Sequence, residues 1–437
     1  MKKNIIYAIL FLCLIENKSY GQVTFIKEYS SPNGDRIKSN GIYQTNVANE
    51  LAMTISNYDE GNTSILLLTR NGNIKNKATL KFKYDYAYIS NLFFVQDTIY
   101  GCGNSTPVMQ EATCSGSKPT GFYFKYVLNR SNPNNITGTF AWIKEDELLN
   151  SGEASVYYKI DAIRNDSLYM IGVLYQNHGG CTGSSKSAIV MINAKDGSKY
   201  SSNVSQSNST VNFISKVDLL ADRNSVFTTD QDWTDIFGST HRYYNVLRKL
   251  NSSNLNIQDS IHFRGIGTGG NTLERHSFFF NSLFSEGSND GSPNLITAYA
   301  AGMTQGLDSV IAICKISKST LNVVQQSTFK LGENQLILSG QLMPKSNGYL
   351  MFVSTKPDKF ATIPNLVRLI ELDNNLNLIN AYELTANLFS NHSTGAYAIN
   401  NVVLIGNDLF LYTNKSNKIQ LNRLDLSDTS STCQKIE

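Results

Sequence analysis

The sequence predicts an all-β protein, a seven-bladed β-propeller in which each blade contains four antiparallel strands. Three observations lead to this prediction. Short apolar runs of strand length recur along the 437 residues, turn residues separate these runs, and the runs group into seven similar units. The units begin at intervals of about 48 to 69 residues, a period that is typical of propeller blades.

One unit is clearest between residues 166 and 197. The segments 168–174 and 188–192 are apolar runs rich in Val, Ile and Tyr, and they are too short for helices. A strand with one face in water alternates apolar and polar residues, so an uninterrupted run predicts a strand covered on both faces. The dipeptide Asp196-Gly197 favours a tight turn and therefore predicts a further strand.

The same pattern occurs seven times. Second strands are expected at 49–57, 97–105, 166–176, 224–233, 293–303, 348–356 and 407–415. An apolar segment precedes each of them, and an amphipathic strand such as "KATLKFK" follows the third strand. The alternation of Ala78, Leu80 and Phe82 with polar residues is typical of an edge strand that is half in water. Each unit therefore has four strands.

The seventh unit ends at "IQLNRLDLSD" and lacks an outer strand. The segment "VTFIKEYSS" near the amino terminus has the pattern of one. Residues 23–29 are therefore expected to complete the seventh blade. This pairing closes the ring and leaves no open end, whereas a linear solenoid needs polar caps at both ends.

The amino terminus has the pattern of a signal peptide. Lys2 and Lys3 precede an apolar run over 5–15, and the small residues Ser19 and Gly21 suit signal peptidase. We expect residues 1–21 to be the signal peptide and residues 22–437 to form a single β-propeller domain. No later segment reaches the roughly 18 apolar residues of a membrane span. The protein is expected to be exported and to be secreted, cell-surface or periplasmic.

The charge of the chain is nearly balanced. Removal of Lys2, Lys3, Lys18 and Glu16 with the signal peptide reduces 38 basic and 35 acidic side chains to 35 and 34. A near-neutral surface gives no general attraction to nucleic acid or to an anionic membrane. No cofactor is expected. The expected partner is a glycan or a protein ligand, for which the loop residues described below are the candidate contacts.

Cysteine positions predict a disulfide within one loop. Cys102 and Cys114 bracket "CGNSTPVMQEATC", and Cys181 lies in the equivalent loop of the next unit, so it competes for either partner. Exported proteins meet oxidising conditions, which favours such a bridge. Cys314, inside "IAICKI", is expected to be a buried thiol. No CxxC or HxxxH spacing occurs, and no metal site is predicted.

The fourth unit has the richest concentration of functional side chains. Long loops are expected between the second and third strands of units two, three and four, at 105–120, 177–186 and 232–242. These loops and the connections between blades share one face of a propeller. The side chains that we call the blade 4 sector are Asp230, Asp232, Trp233, Asp235, His241, Arg242, Arg275 and His276.

Two interpretations of the blade 4 sector stay open. In the first, Trp233 stacks on a ligand and the charged side chains orient that ligand. In the second, Trp233 covers an edge of the core and the charges are solvated. The spacing of Asp230, Asp232 and Asp235 lacks the glycine and final glutamate of an EF-hand loop, which argues against calcium.

The segments "DTIYGCGNS", "NDLFLYTNK" and "VLRKLNSSNLNIQDSIHF", with the start "VTFIKEYSS", are similar to the repeats of secreted bacterial seven-bladed β-propeller proteins. The resemblance covers most of residues 23–428 and implies a scaffold for binding. That family often has a C-terminal sorting domain, whereas "TSSTCQKIE" follows the seventh unit here, so delivery through such a domain is not expected.

Enzyme motifs are missing from the sequence. Neither the GxSxG of hydrolases nor the SxDxGxxW boxes of sialidases occur. The first hypothesis is therefore an exported binding or scaffold protein without catalytic residues, which recognises a glycan or protein ligand on its loop face. The alternative is a glycan-degrading propeller enzyme, a polysaccharide lyase or a glycoside hydrolase, which needs Tyr, His, Arg or Asp side chains converging near the ring axis.

Overall fold

The computed structural model describes residues 24–82, 86–106, 119–133, 135–146, 154–164, 167–175, 185–204, 217–222, 224–236, 240–263, 278–279, 282–288, 291–301, 310–330, 336–356, 366–384, 402–415, 417–427 and 434–435. Over these residues the structure is almost all β-strand, with one 3-10 turn at Glu286–Ser288 and no α-helix. The strands form seven separate antiparallel sheets. The predicted seven-bladed propeller is confirmed.

The first strand, β1 (Thr24–Ser30), belongs to the last blade, and the next twelve strands form blades 1 to 3. Blade 1 contains β2 (Ile37–Gln44), β3 (Glu50–Asn57), β4 (Asn62–Thr69) and β5 (Ile74–Lys81). Blade 2 contains β6 (Tyr86–Val95), β7 (Thr98–Thr106), β8 (Thr120–Asn129) and β9 (Thr137–Asp146). Blade 3 contains β10 (Ala154–Arg164), β11 (Ser167–Tyr175), β12 (Ser185–Asn193) and β13 (Lys199–Val204).

Blades 4 to 7 repeat this arrangement, in which strands that follow each other in the chain pair side by side. Blade 4 contains β14 (Asp218–Asp222), β15 (Ser225–Ile236), β16 (Thr240–Asn251) and β17 (Ile257–Phe263). In blade 5 the inner strand is in two pieces, β18 (Phe278–Phe279) and β19 (Phe284–Ser285), followed by β20 (Asn294–Ala301), β21 (Val310–Ser317) and β22 (Val323–Lys330). Blade 6 contains β23 (Leu336–Lys345), β24 (Gly348–Lys356), β25 (Leu366–Leu372) and β26 (Leu378–Leu384). Blade 7 contains β27 (Val402–Ile405), β28 (Asp408–Lys415) and β29 (Lys418–Asp425), and β30 (Gln434–Lys435) pairs with β26 of blade 6.

The amino-terminal strand closes the ring. Strand β1 pairs antiparallel with β29 and becomes the outer strand of blade 7, as the sequence predicts. Tyr29 is 7% exposed and packs between blades 7 and 1. Its Oη atom donates a hydrogen bond to the backbone oxygen of Gly72 at 2.7 Å, which ties β1 to blade 1.

Seven apolar clusters fill the spaces between neighbouring blades. Strand β4 shows why the apolar runs are uninterrupted. Ile65 packs in the cluster shared with blade 2, and Leu66, the next residue, packs in the cluster shared with blade 7. Successive side chains of a strand point to opposite faces, so a strand between two blades needs apolar residues at every position.

The turn between the third and fourth strands repeats a left-handed residue. Leu255 and Leu321 have φ angles of 59° and 52° and are at most 2% exposed. A left-handed backbone conformation costs an L-residue about 1–2 kcal/mol. Burial of a leucine side chain stabilises the protein by about 1.5–3 kcal/mol, which offsets that cost. Gly197 takes this position in blade 3 with φ 74°, and a Cβ atom there would lie 3.1 Å from the Trp142 ring of blade 2.

Ion pairs join consecutive blades on the side of the ring where β3 begins. Glu50, the first residue of β3, has a side chain that is 1% exposed. Arg130, which follows β8 in blade 2, donates to its Oε2 at 2.9 Å, and Lys75 of β5 donates at 2.7 Å. Lys318 of blade 5 similarly lies 2.8 Å from Asp222 of blade 4. Arg130 and Lys318 each follow a third strand and reach the preceding blade, whereas Lys75 pairs within blade 1.

Candidate functional site

The turns between second and third strands, and the connections between blades, lie on one side of the ring. We call this side the loop face. Its described part includes the connection at 31–36, the turn at 57–61 and Asn417. Most of each long loop predicted for blades 2 and 3, at 105–120 and 177–186, lies outside the described residues.

The backbone of the blade 4 sector forms a strand hairpin, and its strands extend into 232–242, where the sequence predicted a loop. Asp230, Asp232, Trp233 and Asp235 lie in β15, and His241 and Arg242 lie in β16. In the pairing, Trp233 is opposite Tyr243 and Asp235 is opposite His241, and the ladder continues to Ile236 and Thr240. Cross-strand hydrogen bonding satisfies the backbone better than an irregular loop does, which explains the extension.

Side chains of the blade 4 sector lie outside the described residues, as do Arg275 and His276 entirely. The placement of these eight residues therefore comes from the sequence and from the backbone register of β15 and β16 alone. The hypothesis that they meet at one ligand site stays a prediction.

A buried amide lies next to this hairpin along β16. Asn245 is 0% exposed, and among the described residues neither its Nδ2 nor its Oδ1 atom has a hydrogen-bond partner. It is opposite Gln231 of β15 and Phe263 of β17. Leu247, two residues further along the strand, packs in the cluster between blades 4 and 5. Buried polar atoms without partners are rare in native proteins, so Asn245 is an unusual feature of this interface.

A buried carboxylate joins the inner strands of blades 3, 4 and 5. Asp218, the first residue of β14, is 1% exposed. Its Oδ1 atom pairs with Lys159 Nζ of β10, and its Oδ2 atom accepts the backbone N–H groups of Ser282 and Leu283 at 3.0 and 2.9 Å. Asp218 thus satisfies backbone donors near the axis, and its bonds assign it a structural role.

On the described loop face, hydrogen bonds connect blade 7 with blade 1. Asn417 Nδ2 donates to the backbone oxygen of Gly34 at 3.0 Å. Ser31 Oγ and Asn57 Nδ2 both donate to Oδ2 of Asp35, at 2.6 and 3.0 Å. Hydrogen bonds therefore fix the connection between these two blades.

An ion pair fixes the neighbouring turn. The Nε atom of Arg36 donates to Oδ1 of Asp59 at 2.8 Å, and its backbone N–H donates to Oδ2 at 2.7 Å. The backbone oxygen of Arg36 accepts the N–H of Tyr58 at 3.0 Å. The side-chain and backbone hydrogen bonds from Arg36 hold the pKa of Asp59 below its ordinary value. Arg36 and Asp59 therefore neutralise each other.

Three tyrosines and a lysine meet beside this turn, and we call them the tyrosine cluster. The ring of Tyr58, which is 6% exposed, lies 6.1 Å from that of Tyr86 and 5.9 Å from that of Tyr88. Lys38 of β2 is exposed, and its Nζ atom lies 5.8 Å from the Tyr58 ring centroid. Such a distance permits a cation–π interaction. The cluster combines aromatic surface with positive charge on the loop face.

Sequence reasoning missed the tyrosine cluster. The segment "YDYAYIS", residues 84–90, places tyrosine at every second position, and that alternation could have indicated one tyrosine-rich face. Tyr58 and Lys38 come from another blade, and no local pattern relates them to β6. Their meeting depends on the packing of blade 1 against blade 2.

The two described cysteines are free thiols. Cys102 is 0% exposed in the middle of β7 and packs in the cluster between blades 2 and 3. The predicted bridge from Cys102 is not observed, because this side chain is enclosed by apolar neighbours, and Cys114 and Cys181 lie outside the described residues. Cys314 is also fully buried, as predicted, and burial raises its pKa to about 12.

No group of three or more His, Cys, Asp or Glu side chains among the described residues is arranged to hold a metal ion. No helix in that part of the chain is long and apolar enough to span a membrane.

The similarity of this chain to known proteins is low in sequence. No protein-family model matches the sequence, and no curated protein matches it. Similar solved structures include Raptor from Chaetomium thermophilum, with 11% identity and a TM-score of 0.49 over 100% of this chain and 31% of that one. Trypanosoma rangeli sialidase in complex with sialic acid has 10% identity and a TM-score of 0.41, over 95% of this chain and 58% of that one. The WD40 domain of SCAP from fission yeast has 7% identity and a TM-score of 0.39, over 92% and 98%.

This chain spans about a third of the length of that Raptor and less than two thirds of that sialidase. The identities and TM-scores are too low to relate functional residues between the proteins. The seven-bladed architecture rests on the strand pairing of this chain itself.

Proposed function

We propose that the protein is an exported β-propeller that recognises a glycan or protein ligand on its loop face. The observation that supports this most directly is the tyrosine cluster, in which Lys38 lies over Tyr58 beside two further tyrosines. Aromatic rings next to charged groups are typical of binding sites, because the rings supply contact area and the charges supply orientation.

The construction of the ring suits such a role. Seven apolar clusters lock the blades together, and hydrogen bonds fix the loop face between blades 7 and 1. A rigid scaffold holds recognition side chains in place and so reduces the entropy cost of binding. Trp233 and the other residues of the blade 4 sector form a second proposed contact area, supported by their concentration in one hairpin and the connection that follows it. Export is supported by the amino-terminal pattern.

A glycan and peptide array probed with the chain starting at Gln22 tests this function. We expect a defined set of hits, and we expect Tyr88→Ala to weaken them. Tyr200→Ala is the matched control, because Tyr200 is 54% exposed on the outer strand β13, away from the loop face. An array without hits, or equal effects of the two substitutions, would count against the proposal. Mass spectrometry of the recovered hit distinguishes binding from cleavage.

A further inference from the structure

The charge of the tyrosine cluster is unbalanced. Arg36 is neutralised by Asp59, to which it donates side-chain and backbone hydrogen bonds. Asp35, outside the cluster, accepts hydrogen bonds from Ser31 and Asn57. These donors are neutral, so the carboxylate keeps its charge. Among the described residues, Lys38 Nζ has the Tyr58 ring as its contact and forms no ion pair or hydrogen bond. Lys38 is therefore the one charged member of the cluster, and its side chain is exposed.

The aromatic rings of the cluster differ in exposure. Tyr58 is buried, and it supports Tyr86 and Tyr88, which are half-buried at the start of β6. Tyrosine rings offer an apolar face together with a hydroxyl group that donates and accepts hydrogen bonds. This chemistry suits the C–H face and hydroxyl groups of a sugar ring better than the aliphatic anchor of a peptide.

The backbone beneath the cluster is fixed before any ligand arrives. The N–H of Tyr58 donates to the oxygen of Arg36, and Oγ of Ser56 donates to the oxygen of Ala87 at 2.6 Å, which joins blade 1 to blade 2. Oγ of Ser56 in turn accepts a hydrogen bond from Nδ2 of Asn40 at 2.7 Å. A site fixed by such bonds loses little conformational entropy on binding.

We infer that the tyrosine cluster binds an acidic sugar unit, with the sugar carboxylate on Lys38 and the sugar ring against the exposed parts of Tyr86 and Tyr88. A charge-assisted hydrogen bond from an ammonium group to a carboxylate is stronger than a neutral one, so Lys38 selects acidic over neutral sugars. This inference rests on the proposed loop-face binding function and names its ligand class.

Calorimetric titration of the chain starting at Gln22 tests the inference with two carboxylate sources. The probes are trigalacturonic acid and sialyllactose, each beside its methyl ester. We expect one acid or both to bind. The matching methyl ester should bind at least tenfold more weakly, and added salt should weaken the binding of the acid. Lys38→Gln is expected to lower the affinity for the acid about tenfold and to leave the affinity for the ester unchanged. The control Lys77→Gln changes an exposed lysine on β5 and is expected to change neither affinity.

The possible failures are distinguishable. Equal binding of acid and ester, or an acid affinity that does not depend on Lys38, overturns the acidic-sugar inference and leaves loop-face binding in place. Binding of a glutamate-rich peptide but of no sugar overturns the inference in favour of a protein ligand. Binding of none of these probes, together with an array that has no hits, overturns both the inference and the proposed function.

Discussion

The Nε atom of Arg70 donates a hydrogen bond to Oδ2 of Asp408 at 2.7 Å, although 338 positions separate the two residues in the chain. Arg70 follows β4 in blade 1, and Asp408 is the first residue of β28 in blade 7. The Asp408 side chain is 2% exposed, and Arg423 of β29 lies 3.6 Å from it. An ion pair therefore reinforces the closure that β1 makes.

The substitution Asp408→Asn tests this ion pair. It removes the charge while keeping the size of the side chain and leaves two arginines without their buried partner. Loss of one member of a buried pair costs about 3–5 kcal/mol, and we expect roughly 2 kcal/mol here because Arg70 is 40% exposed and can be hydrated. Urea denaturation measures the difference.

Glu28→Gln is the control for that substitution. Glu28 of β1 pairs with Lys418 of β29, so this pair also spans the closing strands, but the Lys418 side chain is 55% exposed. Exposed pairs contribute little to stability, and we expect the urea midpoint to stay unchanged. Similar losses for both variants would show that burial does not decide the strength of these pairs.

Deletion of residues 22–31 tests closure by the strand itself. The deletion removes β1, exposes the edge of β29 and uncovers the space that Tyr29 fills between blades 7 and 1. We expect a clearly lower melting temperature than that of the chain starting at Gln22, since the edge loses its pairing and apolar surface meets water. Thermal unfolding followed by circular dichroism measures the shift. An unchanged melting temperature would mean that β1 adds nothing to the ring.

The fold was predictable because its main rule is local. Uninterrupted runs such as that of β4 indicate strands covered on both faces, and "VTFIKEYSS" matches the outer strand that blade 7 lacks. Contacts between blades left no comparable pattern. Nothing near Arg70 points to Asp408, and the pairing of β30 with β26 depends on only two residues of the carboxy-terminal segment. Such relationships require the assembled ring.

Stability should depend on pH through Glu50. Burial alone would raise the pKa of Glu50, but hydrogen bonds from Arg130 and Lys75 outweigh burial and hold that pKa below its ordinary value of 4.5. When folding lowers the pKa of a carboxyl group, the resulting stabilisation is fully present at a pH above the pKa of the unfolded state. It is lost as the pH falls through the pKa of the folded state. The free energy of unfolding should therefore decrease on acidification below about pH 4.5.

Glu50→Gln isolates the contribution of this carboxylate. We expect the variant to be less stable than the parent by about 2 kcal/mol at neutral pH, and we expect the difference to shrink as the solution is acidified. Urea denaturation of both proteins at several pH values provides the measurement. A difference that is constant from neutral to acidic pH would show that the ionisation of Glu50 has no role in stability.

Asn245→Leu is expected to make the protein more stable. Both polar atoms of the Asn245 side chain are buried without partners, and an unsatisfied buried polar group costs about 1–3 kcal/mol. Leucine has a similar size and suits the apolar cluster that contains Leu247. We therefore expect the free energy of unfolding to rise by about 1 kcal/mol, which raises the urea midpoint. A lower midpoint would indicate that ordered water satisfies the amide in the native protein.

Candidate binding residues were harder to predict than the fold. The concentration of charge around Trp233 is visible in the sequence because those residues are close together in the chain. The sequence predicted a loop over 232–242, whereas cross-strand pairing extends β15 to Ile236. The tyrosines of β6 alternate visibly in the sequence, but no local pattern places them beside Tyr58 and Lys38, because β2 and β6 pack side by side only in the assembled ring.

The two tryptophans of the chain should respond differently to truncation. Trp142 is 9% exposed and lies 5.9 Å from the Tyr123 ring, centroid to centroid, so Trp142→Ala should lower the free energy of unfolding by about 3–5 kcal/mol. Trp233 belongs to the proposed blade 4 sector, where loss of an aromatic anchor commonly costs about 2 kcal/mol of binding. Trp233→Ala should therefore weaken the best array hit roughly thirtyfold and leave the melting temperature nearly unchanged. Titration of that hit and thermal unfolding of both variants provide the measurements. If Trp233→Ala has as low a melting temperature as Trp142→Ala and keeps its affinity for the hit, then Trp233 covers the edge of the core and the blade 4 sector is solvated surface.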